Sequence, residues 1–203
     1  MGRNQMIDEL LGEMGEQAPA GYFLALHIRF AAPIMMFRTY NKAWTDHYSQ
    51  SAYALRDPMI AFGVSQTGAT RWSAIPIPDP FGIMTEAAQF GLSYGVCISC
   101  GPVTSRTVAG LARDDREFTD EEIAAATGLV LRLHHQSEPP DHLTRAEKEA
   151  LEVIARGDRY AAGAEKLGIS ESALKARLST ARSKLFARTT AEAIQRAKDY
   201  RLI

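Results

Sequence analysis

Tyr40, Trp44 and Tyr48 are spaced i, i+4 and i+8, and a helix stacks such residues within about 80° of one face, each bringing a polar hydrogen. Asp57-Pro58 and then Trp72 follow. Two readings of this set stand side by side. Aromatic stripes pack cores, and Asp before Pro starts helices, the carboxylate capping and the proline at the first turn. The same residues could also present donors and one acceptor to a small molecule. Other candidate chemistry is thinner. His47 lies near Asp46 and Ser49, and His134-His135 could hold a metal. Adjacent helical residues diverge by about 100°, however, and the chain has no HExxH or glycine-rich phosphate loop. It does not read as an enzyme, so no catalytic residue, metal site or cofactor is expected. Cys97 and Cys100 fall in the strand-like YGVCISCG, where alternation sends them to opposite faces, as small core residues rather than a redox pair.

A second group lies near the C-terminus. Leu174, Leu178, Ala181 and Leu185 share a narrow arc of one helix and must face a core. The opposite face carries Ser172, Ala176, Ser179, Thr180 and Ser183, flanked by Lys175 and Arg182 on one side and Arg177 and Lys184 on the other. Small residues let a helix sink into a DNA major groove while flanking cations reach phosphate. A solvated charged face usually mixes signs, but no acidic residue occurs from Leu174 to Phe186, which favours double-stranded DNA as partner.

The elements that must position these groups divide at Ser137–His142, where Pro139 and Pro140 interrupt a helical pattern. Before it, β-rich stretches at Phe23–Phe30, Pro33–Phe37, Arg71–Ile75, Tyr94–Cys100 and Thr107–Ala112 alternate with helical patterns near 2–14, 41–53, 58–67, 82–91 and 119–136. An α+β fold is expected: an antiparallel sheet with helices covering its faces, an α-β-α sandwich. After it, Thr144 and Glu147 form a capping box, Gly157 stops the first helix, and a second runs over about Tyr160–Leu167. Gly168-Ile169-Ser170 then turns into a third helix over about Glu171–Phe186, a small all-α helix-turn-helix domain. The expected domains are 1–136 and 143–203, with linker 137–142. Residues 1–140 carry 10 Lys/Arg against 15 Asp/Glu, and 141–203 carry 13 against 9, so the halves are near −5 and +4. A basic tail behind an acidic domain suits phosphate. The polar start MGRNQMIDELLGEMGEQ has neither signal nor anchor pattern, and a cytoplasmic protein is expected.

On these residues the chain resembles LuxR-type quorum-sensing transcriptional regulators. The tail matches at Leu143-Thr144-x-x-Glu147, Leu151, Gly157, the LGISE of 167–171, Lys175, Lys184-Leu185 and Leu202-Ile203. Upstream, Tyr40, Trp44, Tyr48, Asp57-Pro58 and Trp72 match at the family's spacing, as do Phe90-Gly91-Leu92-x-x-Gly95-Val96 and Gly101-Pro102. The resemblance implies an N-acyl-homoserine lactone ligand. Trp44 would donate to its lactone carbonyl, Asp57 would accept from its amide N–H, and Tyr40 would donate to its amide carbonyl. Tyr48 and Trp72 would wall the cavity. It also implies a homodimer that sets two recognition helices on a near-palindromic site. There are departures. Arg159 stands where the family usually has Thr, Ala162-Gly163-Ala164 replaces Glu-Ile-Ala, Arg177 replaces His, and Gly110 replaces Ser or Thr, removing one expected hydrogen bond or leaving it to water. These leave two alternatives: a partner that heterodimerises with a true regulator and titrates it, or a regulator sensing a different small molecule.

Overall fold

A computed structural model describes residues 3–29, 32–138 and 142–203. It divides into two compact units, Met1–Glu138 and Pro139–Ile203. Phe30, at the end of the first expected strand, and Pro139-Pro140-Asp141 of the expected linker lie outside the described residues.

In the first unit α1 (Arg3–Gln17) precedes β1 (Gly21–Ile28) and β2 (Met35–Arg38); α2 (Lys42–Gln50) and α3 (Pro58–Ser65) lead to β3 (Gly68–Arg71). Next come α4 (Ile83–Gln89), β4 (Tyr94–Cys100), β5 (Arg106–Arg113) and α5 (Asp120–Gln136). The five strands form one antiparallel sheet in the order β2-β1-β5-β4-β3. Alternation along β5 sorts the two faces. Thr107 meets His134 of α5, whereas Val108 meets Gly63 of α3, whose missing side chain lets the helix approach: a Cβ there would lie 2.4 Å from a Val108 methyl. Helices therefore cover both faces, as the sandwich expectation requires. Cys97 and Cys100 are both free and buried in β4.

Two expected elements differ. The strand expected at Arg71–Ile75 ends at Arg71, and Trp72–Ala74 turns as a short 3-10 helix. The Trp72 ring presses on the backbone of Gly95 in β4, where a Cβ would come within 2.2 Å of the ring. The helix expected over 41–53 stops at Gln50, because Ala52 takes a left-handed conformation (φ 52°) that no helix continues through.

The second unit contains α6 (Arg145–Ala155), α7 (Tyr160–Lys166), α8 (Glu171–Lys184) and α9 (Thr190–Asp199). Leu174, Leu178, Ala181 and Leu185 of α8 are buried in its core with Leu151 of α6 and Ala193 of α9. Gly157 (φ 94°) and Gly168 (φ 65°) end α6 and α7 in the left-handed conformation the sequence calls for. Gly163 is a close-packing site within α7, since a Cβ would sit 3.2 Å from Val153 and 3.4 Å from Leu174. At the start of α7, Arg159 provides no side-chain cap, in contrast to Thr144, Ser170 and Thr189 before α6, α8 and α9.

Candidate functional site

The aromatic spacing and the helix-starting Asp-Pro serve one place. Asn41 caps α2 by accepting from the Trp44 N–H, and Asp57 caps α3 with Pro58 at its first position. These helices and β1–β2 enclose a cavity of about 510 Å³, within the range of small-molecule sites. Tyr40, Trp44, Tyr48, Asp57 and Trp72 all line it. Ala25, Ile28, Met36, Ile60 and Val64 add apolar lining, and Arg38 of β2 lines the cavity as well. The lining thus combines polar and aromatic groups with apolar ones suited to a hydrocarbon chain.

Asp57 is the electrostatic centre. It is 5% exposed, and burial raises its carboxyl above the usual range because the charged form loses water. Two donors oppose that: the Tyr48 hydroxyl at 2.7 Å from Oδ2 and the Met59 N–H at 2.7 Å from Oδ1. Tyr48 is therefore more than a wall, because it orients the carboxylate. Burial and the Asp57 charge hold the Tyr48 phenol protonated, well above its ordinary pKa.

Tyr40 differs from its expected role as a ligand donor. Its hydroxyl donates to the Gly110 carbonyl at 2.7 Å, so its single proton already has an acceptor. Gly110 makes that contact possible. A Cβ at Gly110 would lie 2.5 Å from Met59 Sδ and 3.0 Å from the Tyr40 oxygen. The departure at this position is thus a matter of space as well as of a missing hydroxyl.

Trp44 is 5% exposed and held by rings: edge-on to Tyr48 at 5.5 Å, with Phe90 at 5.5 Å and Tyr53 at 6.2 Å. Beside this cage, His47 Nε2 meets Glu86 at 2.7 Å and the Tyr53 hydroxyl donates to the same carboxylate at 2.6 Å, tying α2 to α4. His47 thus engages neither Ser49, which donates to the Thr45 carbonyl, nor Asp46, which pairs with Lys42. Tyr53, Glu86 and Phe90 have no spacing relation to Trp44 that sequence could reveal. Among the described residues, no group of three or more His, Cys, Asp or Glu could hold a metal ion.

The face of α8 is as exposed as its periodicity requires at Ser172, Ala176, Ser179, Thr180 and Ser183, but its cations are not all at liberty. Lys175 pairs with Glu171 one turn earlier and lies 5.6 Å from the Tyr160 ring centre. Lys184 bonds Glu147, which is 5% exposed and also accepts from the Thr144 N–H in the capping box of α6. Two of the four flanking cations thus have acidic partners, both outside the acid-free run 174–186. Arg177 and Arg182 are half-buried at the flanks.

A cavity between a five-stranded sheet and helices, lined by polar, aromatic and apolar groups, defines a small-molecule-binding class. Residues 20–137, more than half of the chain, match the family model described as the autoinducer binding domain. The transcriptional activator protein RaiR of Rhizobium etli is 27% identical over 178 residues, covering 79% of this chain and 73% of that one. A structure of Escherichia coli SdiA superposes with a TM-score of 0.55 at 21% identity, covering 99% of this chain and 97% of that one. SdiA in complex with octanoyl-rac-glycerol gives 0.54 at 20% identity, covering 98% and 93%. The chain belongs to the autoinducer binding domain family, whose members bind acyl-homoserine lactones. Among the described residues no helix is long and apolar enough to cross a membrane.

Proposed function

We propose that residues 1–136 bind an N-acyl-homoserine lactone and that residues 143–203 bind DNA through α8, as a cytoplasmic homodimer. The convergence of Tyr40, Trp44, Tyr48, Asp57 and Trp72 on one cavity carries the ligand reading. Asp57 accepts the amide N–H, whose arrival gives the buried carboxylate a third donor. Trp44 donates to the lactone carbonyl, Tyr48 holds Asp57, and Trp72 covers the head group while the acyl chain runs towards Met36 and Val64. For DNA, the small exposed residues of α8 enter the major groove, with Lys175, Arg177, Arg182 and Lys184 at its walls; Lys184 acts partly by fixing α8 to α6.

Thermal-shift and extraction experiments with chain-matched ligands test the sensor. N-octanoyl-homoserine lactone should raise the melting temperature of the full chain and be recovered from it by mass spectrometry. Octanoyl glycerol, the ligand of the SdiA complex, has no amide and should bind more weakly. A stronger shift from the glycerol ester would replace the lactone with a different ligand class.

The uncapped start of α7 and the engaged Lys175 and Lys184 favour a second reading, a heterodimerising partner that titrates a true regulator without specific DNA binding. A gel shift on the upstream region of its own operon, against salt and random duplex, separates the two. Sequence-specific retention lost in a Lys175→Ala/Arg177→Ala double variant supports α8 as reader; equal retention of both duplexes supports the partner.

A further inference from the structure

Met36 on β2, Leu55 in the turn after α2 and Val64 on α3 all line the cavity, and all three are exposed, Leu55 at 89%. A side chain that faces both a cavity and solvent stands at the opening, so these three form its rim. Phe81, ahead of α4, adds to them: the guanidinium of Arg56, the residue after Leu55, lies over its ring at 4.5 Å from the centre, and the ring is half exposed. Val103, Leu131 and Tyr160, the other large apolar side chains exposed among the described residues, lie on three separate elements. Single exposed residues of that kind are ordinary, whereas a cluster around an apolar cavity marks a contact surface.

The charges at this rim indicate what it meets. Arg38 lines the cavity two residues after Met36 on β2, and Arg56 borders Leu55; both are exposed. Among the described residues neither has a carboxylate partner, and Arg56 donates to the Ser51 carbonyl at 2.6 Å. Acids on the adjoining helices are engaged elsewhere: Asp46 pairs with Lys42, Glu86 takes the His47 and Tyr53 bonds, and Asp79 caps α4 at the Met84 N–H. An apolar rim with two uncommitted cations matches a bilayer with anionic head groups, where inserted apolar side chains and cations near the surface both contribute. We propose that this rim docks reversibly on an anionic membrane surface, with the cavity opening towards the hydrocarbon. The choice of a bilayer over a protein rests on the lactone reading of the cavity, since a lipophilic acyl chain partitions into the same hydrocarbon.

Co-sedimentation of the full chain, without ligand, with phosphatidylcholine vesicles that contain or lack phosphatidylglycerol tests this. The native chain should bind the anionic vesicles about tenfold more tightly than the neutral ones, and salt should weaken that binding. Arg56→Gln should lower it about fivefold and Leu55→Ser/Phe81→Ser about tenfold, whereas Val103→Ser, away from the rim, should bind as the native chain does. Melting temperatures identify folded variants; should the double variant unfold, Leu55→Ser alone, at an almost fully exposed position, gives the same reading. No binding to anionic vesicles, equal binding to both kinds, or binding kept by the folded Leu55 variant overturns the proposal. Concentration-dependent self-association in vesicle-free buffer that this variant abolishes assigns the rim to a second copy of the chain and also overturns it. Failure of N-octanoyl-homoserine lactone to bind in vesicle-free buffer is read separately and strikes the lactone reading instead.

Discussion

The cavity of the first unit and the α8 face of the second use polar residues in opposite ways. In the cavity, Thr45 and Trp72 keep polar atoms buried and unbonded, and the Asp57 carboxylate is held in a site that raises its pKa. On α8, Lys175 and Lys184 already have carboxylate partners. The first arrangement carries an unrecovered desolvation cost within the fold. The second stabilises the fold first, and on the proposed reading DNA would compete with Glu171 for Lys175. The contrast teaches that residue type and spacing locate a site, while the partners of each polar atom decide how ready it is.

The largest expected effect tests the cavity. Asp57→Asn keeps a helix-capping oxygen for the Met59 N–H but removes the charge that receives an amide N–H. Lactone affinity should fall by about tenfold to a hundredfold, the equivalent of about 1.5–3 kcal/mol for a hydrogen bond to a charged group. Calorimetric titration of the folded variant measures this, and unchanged affinity would remove Asp57 from the site. On the other side of the comparison, Glu147→Ala strands the Thr144 N–H and unpairs Lys184. Because Lys184 is partly exposed, a loss of about 2 kcal/mol is expected, read by denaturant unfolding of the second unit's helices. A loss below a few tenths would mean that the pair contributes nothing to the fold.

Arg159→Ser should act in the opposite direction. It supplies the missing cap of α7 and should add about 1 kcal/mol, seen as a higher unfolding midpoint. No gain would show that those N–H groups are already satisfied by solvent. The smallest effect is in pH. Burial, with the neighbouring His135 charge, lowers the His134 pKa below 6.5, so the unfolded chain binds the proton more readily. Its stabilising contribution is present above pH 6.5 and is lost as pH falls towards the depressed value. The first unit should therefore lose stability over that window, and His134→Gln should flatten the slope; an identical slope would assign it to other groups.

Much of both regions was legible in residues. Trp44 and Tyr48 fall on α2 and Asp57-Pro58 starts α3 as their spacing suggests, whereas Tyr40, read onto the same helix face, lies ahead of the Asn41 cap and outside the helix; the α8 core arc follows from periodicity alone. What escaped were contacts between distant segments. The Tyr40 hydroxyl finds Gly110 seventy residues away, His47 finds Glu86, and Lys184 finds Glu147. No local pattern encodes such pairs, since the sheet register and helix packing that create them belong to the whole fold. Trp72 was likewise placed in a strand because its turn packs onto Gly95 in β4, which follows only after α4 in the chain.

Glu147 also bears on how such a chain can be built. One carboxylate caps the start of α6 and holds the end of α8, so the first and third helices of the second unit are latched by groups that this unit itself supplies. A module fastened in this way is portable. Joined through a flexible linker to an unrelated sensor, residues 142–203 should keep their own fold, and a new input could be coupled to the same output helix without redesigning either part.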